Sequence, residues 1–164
     1  MERQDKINYY LDIAQTVSQR STCLRKHYGT VIVKNDEIIS SGYSGAPRGS
    51  INCCDLGYCT KKKIFPDVHH AGYDACRSVH SEQNAMFSAS RERMIGSTLY
   101  LVGGKVEEPI EYEEGAKPCL TCQKLIINSG ISKVIVRTSK TDYIVYNVED
   151  WTTNDPLLNG QLSY

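Results

Sequence analysis

His80 stands two residues before Glu82, and Cys119 and Cys122 fall in the run Pro118-Cys-Leu-Thr-Cys. One imidazole and two thiolates fill three corners of a tetrahedron around Zn²⁺, and a fourth corner left to water separates a catalytic zinc site from a structural one. Glu82 lies close enough in sequence to sit beside that water without coordinating. Its carboxylate can then take a proton and deliver it to a ring nitrogen. The pattern predicts a zinc hydrolase acting on an amine. A Cys-x-x-Cys alone suits a redox pair, half of a structural zinc site or two buried thiols equally well. The upstream His-x-Glu and the Pro before the first Cys turn the reading toward a catalytic metal.

Helices must position these side chains. Ala85, Met86 and Ala89 recur at helical spacing after Glu82 and predict a helix that runs on to Arg91. A second is predicted from Cys122 onward, with Gly130 as its stop. All three candidate ligands therefore fall at helix N-termini, where unpaired N–H groups favour thiolate over thiol. Upstream, Ile7, Tyr10, Leu11, Ala14 and Val17 mark a first amphipathic helix. Two β-rich runs then flank Asn35-Asp36 as a hairpin. Further strands are expected at Thr98-Leu-Tyr-Leu-Val and Lys133-Val-Ile-Val-Arg, both as parallel neighbours of the earlier ones. The order α-β-β-α-β-α-β implies an α/β sheet with helices packed on it.

The 164 residues suit one domain, 1–164, interrupted by a Cys/His-rich segment at about 43–77 that is too long for an ordinary loop. Nineteen basic and nineteen acidic residues cancel, so no overall positive field recruits nucleic acid, and small substrates are favoured. The triplet Lys61-Lys62-Lys63 reads as solvated surface. No apolar run approaches a membrane span or a signal peptide, which points to the cytoplasm, or the host cytoplasm if the source is viral. Seven cysteines in a reducing compartment bind metal or stay as thiols. The polar tail at 147–164 is left without a structural expectation.

The His-x-Glu and Pro-Cys-x-x-Cys elements are the signature of zinc deaminases of nucleobases. With Ser21-Thr-Cys-Leu-Arg-Lys, Val31-Ile-Val-Lys-Asn-Asp-Glu-Ile-Ile-Ser, Gly42-Tyr-Ser-Gly-Ala-Pro-Arg-Gly, Cys76-Arg-Ser-Val-His-Ser-Glu-Gln-Asn-Ala and Ile126-Ile-Asn-Ser-Gly-Ile, most of the chain resembles the deoxycytidylate (dCMP) deaminases. These belong to the zinc-dependent cytidine deaminase superfamily. The resemblance implies a cytidine-deaminase-like three-layer α/β/α fold with a mixed central sheet of about five strands. It also implies hydrolysis of dCMP to dUMP and ammonia, a supply of dUMP for thymidylate synthesis. A homo-hexamer activated by dCTP and inhibited by dTTP, with Mg²⁺ accompanying the effector, is the implied assembly. His80, Cys119 and Cys122 take the role of zinc ligands, and Glu82 that of proton shuttle between water, N3 of cytosine and the departing amine.

Two positions depart from the family. Ser81 stands where Ala is common between the ligand His and the Glu, and its hydroxyl is read as a helix cap. Ser44 replaces the Asn whose amide holds the nucleoside, offering a shorter reach and fewer partners. Tyr43, Ser44, Arg25 and Lys26 are the candidate substrate-binding residues, with Arg48 and Arg91 as further candidates for phosphates. Tyr143 and Tyr146 are candidates to line the pocket or simply to pack. The resemblance also suggests a second, structural zinc on Cys23, Cys54, Cys59 and Cys76, with Cys54 preferred to Cys53 by spacing and His69 and His70 nearby. The alternative is a set of free thiols. Competing functions are deamination of cytidine, a modified pyrimidine or tRNA adenosine, and a non-catalytic zinc domain that senses nucleotides. The intact Glu82 argues against the last, since a structural zinc needs no free carboxylate.

Overall fold

The computed structural model describes residues 1–67, 73–107, 110–113, 116–155 and 157–160. In chain order the elements are α1 (Lys6–Ser18), β1 (Lys26–Lys34), β2 (Glu37–Tyr43), α2 (Cys53–Leu56), α3 (Thr60–Ile64), α4 (Ser81–Phe87) and α5 (Arg91–Met94). They continue with β3 (Thr98–Lys105), β4 (Glu111–Tyr112), α6 (Leu120–Ser129), β5 (Lys133–Arg137), β6 (Tyr143–Asn147) and α7 (Val148–Thr153). A 3₁₀ turn spans Tyr73–Ala75. The sheet order is β2-β1-β3-β5-β6, with β4 hydrogen-bonded to β3 beside that path. Its sense is mixed. β1 pairs antiparallel with both β2 and β3, β3 pairs parallel with β5, and β5 antiparallel with β6. The sequence expectation is thus met for β5 but corrected for β3, because periodicity carries no information on strand direction.

Alternation along the strands sorts the core into two layers. Ile32, Leu99, Leu101, Val134 and Val136 point to one face, where Ala85, Met86, Met94, Cys122, Ile126 and Val148 cover them. Val31, Val33, Tyr100, Val102 and Ile135 point to the other, against Tyr10, Leu11 and Ala14 of α1. The result is an α/β/α sandwich. Asn35 and Asp36 both adopt positive φ, 51° and 65°, as a two-residue hairpin turn requires. The predicted zinc helix is shorter than its apolar spacing suggests. α4 stops at Phe87, and the Ser90 hydroxyl accepts from Arg93 N–H to start α5, so Arg91 belongs to a separate helix. The tail contributes β6 and α7, and Trp151 and Tyr146 pack on the α4/α6 side of the core.

Gly42 decides how closely α4 approaches the sheet. A Cβ there would lie 2.3 Å from Ala85 N and 2.5 Å from Ser81 O, both backbone atoms that cannot swing away. Gly42→Ala is therefore expected to cost about 1–3 kcal/mol, read as a melting-temperature drop of roughly 2–12 °C for a chain of this size. It also displaces the helix that carries Glu82. An ångström of misplacement costs a rate about a hundredfold, so activity should fall further than stability. Melting and deaminase rate measured on one preparation test both halves.

Candidate active site

The site assembles where two helices begin. His80 is the N-cap of α4 and Cys119 the N-cap of α6, both with extended backbone, and Cys122 lies one turn into α6. Gln83 Oε1 accepts the His80 backbone N–H at 3.1 Å, and the Gln123 amide donates to the Pro118 carbonyl at 2.7 Å. These bonds fix the two caps. His80 Nδ1 lies 3.5 Å from Cys119 Sγ and 3.4 Å from Cys122 Sγ. A tetrahedral zinc, with bonds of about 2.3 Å to sulfur and 2.05 Å to nitrogen, sets an S···N edge of roughly 3.6 Å. The spacing fits that edge. Among the described residues, this is the trio of His, Cys, Asp or Glu whose ligand atoms all lie within 4.8 Å of one another.

The electrostatics of the corner split the two thiols. The Cys119 thiol is pulled down to about 4 by a hydrogen bond from Cys122 and by His80. Cys122, wholly buried, is pushed up by Cys119 and by burial. The hydrogen bond to Cys119 raises His80. Coordination needs both sulfurs as thiolates, so metal binding here releases protons.

Glu82 is 5% exposed, and burial pushes its carboxyl up against the opposing pull of His80. A carboxyl raised in this way exchanges protons near neutral pH more readily than an exposed one. Its orientation comes from a signal that the sequence reading passed over. Ser81 does not cap α4. Its buried hydroxyl donates to Glu82 Oε2 at 3.1 Å and pairs with Thr30 Oγ1 of β1 at 2.8 Å, forming a hydroxyl chain from the sheet to the carboxylate. Thr30 is an inward-facing polar residue in a run of Val and Ile, and such a residue in a core strand asks for a partner.

The other sequence candidates are dispersed. Ser44 is buried, with its hydroxyl on Tyr28 N–H at 3.1 Å and on the Ser21 hydroxyl at 2.7 Å. Lys26 is ion-paired to Glu113. Arg25 is exposed at the mouth of β1. Tyr43 lines a polar hollow of about 280 Å³ with Arg20 and Arg48, and Arg48 also donates to the Ser88 hydroxyl at 3.2 Å. Arg91 instead donates to the Asn128 carbonyl at 2.9 Å. Tyr146 donates to the Ala116 carbonyl at 3.1 Å and packs on the core, and Tyr143 lies opposite Arg137 at the sheet edge.

Of the remaining cysteines, Cys54 is exposed and its thiol turns to Asp55 at 3.8 Å. The neighbouring Cys53 is buried, and after burial itself the charges of Cys23, Cys59 and Cys76 are what push its thiol up. One step along a helix turns a side chain through about 100°, which is why the inward residue is Cys53. His69 and His70 lie outside the described residues.

An α/β/α sandwich with a His/Cys/Cys corner and a buried carboxylate beside it defines a hydrolytic deaminase of the zinc type. Residues 4–138 match the family model described as the cytidine and deoxycytidylate deaminase zinc-binding region. The chain belongs to that family. It is 35% identical over 139 residues to a deoxycytidylate deaminase of Mycobacterium phage D29, covering 82% of this chain and 96% of the phage protein. It is 31% identical over 147 residues to the deoxycytidylate deaminase of Schizosaccharomyces pombe, covering 90% of this chain but 39% of the yeast protein. The dCMP deaminase of cyanophage S-TIM5, solved in complex with dCMP and dUMP, superposes with a TM-score of 0.56 at 27% identity, covering 83% of this chain and 84% of that one. No helix among the described residues is long and apolar enough to cross a membrane.

Proposed function

We propose that the protein hydrolyses dCMP to dUMP, consuming one water and releasing one ammonia. The observation that carries this reading is the buried Glu82 carboxylate beside a ligand trio with tetrahedral spacing. The relatives that act on dCMP support the choice of substrate. His80, Cys119 and Cys122 hold zinc, which when bound supplies Lewis acidity and lowers the pKa of a water at the fourth corner. Glu82 takes the proton from the attacking water and passes it to N3 of cytosine as the ring loses aromaticity. Once the water oxygen is bonded to C4, the carboxylate takes the second proton from that C4 hydroxyl and delivers it to the exocyclic amine, so that the C4–N bond breaks, ammonia leaves and the C4 carbonyl of dUMP forms. The Ser81 hydroxyl keeps the carboxylate aimed at both stations, and burial keeps bulk water from competing for its proton.

Ser44, Tyr43, Arg25 and Lys26 belong to the proposal as the substrate-binding edge. The inward hydroxyl of Ser44 acts there by fixing Tyr28. Cytoplasmic dUMP supply, a homo-hexamer, activation by dCTP and inhibition by dTTP with Mg²⁺ on the triphosphate extend the same reading. A second, structural zinc with Cys23, Cys54, Cys59 and Cys76 as its candidate ligands extends it also, and its binding would have to draw these sulfurs together, since among the described residues the metal-spaced cluster is His80, Cys119 and Cys122. The test is ammonia release from zinc-loaded protein given dCMP, deoxycytidine, cytidine or dCTP, each with and without the triphosphate effectors. Expected is turnover of dCMP alone, raised by dCTP. Turnover of the nucleosides instead moves the substrate, and silence on all four with zinc present removes the enzyme reading. Metal content of two per chain supports the cysteine site, and a content of one leaves those thiols free.

A further inference from the structure

Lys26 and Tyr28 leave the same face of β1, two residues apart, and their polar ends converge on one carboxylate. Glu113 Oε1 takes the Lys26 ammonium and Oε2 accepts from the Tyr28 hydroxyl at 2.8 Å, so both oxygens are engaged by separate donors. The lysine and these hydrogen bonds hold the Glu113 carboxyl below its ordinary value against the cost of burial. A second cation stands alongside. Lys105 of β3 is the cross-strand partner of Lys26, and it holds Glu111 at 3.0 Å. Glycines let the arrangement close. A Cβ on Gly103 would lie 2.2 Å from the Tyr28 ring, and one on Gly104 would lie 1.9 Å from the Glu111 carbonyl oxygen.

This seat is attached to the active centre from two sides. The Tyr28 ring packs on the core cluster that includes Cys122 and is also flanked by Cys119 and Ala116. Its backbone is bonded in both directions to Ser44, N–H to hydroxyl at 3.1 Å and carbonyl to N–H at 3.0 Å. Glu113 itself lies six residues before Cys119, on the segment that leads into α6. An ammonium and a phenol hydroxyl aimed at one point, with a second ammonium in the adjacent strand, form an anion seat. A carboxylate from the chain occupies it.

We propose that the Lys26/Tyr28 seat takes the phosphomonoester of the substrate and that Glu113 is its internal gate, displaced when a phosphate enters. The inference rests on the proposed action on a nucleoside monophosphate. A dianion with three oxygens outcompetes a monoanionic carboxylate for an ammonium and a hydroxyl donor. A nucleoside without phosphate has nothing to displace Glu113 with. The gate therefore sharpens selection for phosphorylated substrates at the cost of part of their affinity. A simple clamp makes the opposite prediction, because losing it would loosen the segment before Cys119 and weaken every ligand.

The sign of one change separates the two. Glu113→Gln keeps the side-chain volume and removes the charge. Expected is a fall in KM for dCMP of about three- to tenfold with the effect absent from kcat. The Kd for 2-deoxyribose 5-phosphate, measured by calorimetry, should fall by the same factor. Lys26→Met should raise both constants about tenfold, and adding Glu113→Gln to it should bring no gain. A KM that rises or stays level in Glu113→Gln, with an unchanged Kd for the sugar phosphate, overturns the gate. Sugar-phosphate constants that move as expected in a protein that does not deaminate dCMP keep the seat and reject the substrate. Turnover of dCMP with neither constant responding keeps the substrate and rejects the seat.

Discussion

Glu82→Gln is expected to purify with its zinc and to turn over dCMP about 10² to 10⁴ times more slowly than the unaltered protein, the range spanned by a positioned proton-transfer group. The substitution is chosen for what it leaves alone. Glutamine matches the glutamate in volume at a position that is 5% exposed, so no cavity opens. The Ser81 hydroxyl, which donates to Oε2 at 3.1 Å, can donate equally to an amide oxygen. The ligands His80, Cys119 and Cys122 are untouched, and zinc content should equal that of the parent protein. What disappears is the ability to accept a proton from water and to hand one to N3 and to the amine. Zinc analysis and steady-state ammonia release on one preparation read the two halves. A rate within tenfold of the parent would take Glu82 out of the proton path, and loss of zinc would make it a structural support of the metal corner.

The candidate ligand trio is legible in the sequence because ligand type and spacing are local. His80, Glu82, Cys119 and Cys122 sit at helix starts that Ala85, Met86 and Gly130 mark by periodicity and punctuation. The same holds for α1 and for the turn at Asn35 and Asp36. What escaped depends on distance or direction. The antiparallel pairing of β3 with β1 follows from the crossover, which no residue pattern encodes. β6 alternates half-buried and exposed residues at a sheet edge, so its signal is weak, and its place is set by Tyr146 and Trp151 packing on the far core. Ser81 reads as a cap from its position alone, and only the approach of Thr30 turns its hydroxyl inward. The Lys26 and Glu113 pairing joins residues 87 apart, beyond the reach of any local rule.

Cys122→Ser is expected to lose the zinc of this corner and with it measurable turnover. Cys122 is wholly buried and its sulfur lies 3.4 Å from His80 Nδ1, at the point that the ligand trio shares. A serine hydroxyl stays protonated where a thiol gives up its proton, and its shorter bond pulls the donor away from the shared point. Two ligands remain, His80 and Cys119, on separate helices. Because the metal joins the start of α4 to the start of α6, its loss should also be visible in stability. A site loaded at a thousand times its Kd stabilises the fold by about 4 kcal/mol. For a chain of this length that corresponds to roughly 8–16 °C in melting temperature. The variant should hold one zinc per chain fewer than the parent and melt lower by that amount, measured on the two proteins side by side. A variant that keeps the full zinc content of the parent and melts with it would move the metal away from this corner, and with it the water that Glu82 is placed to deprotonate.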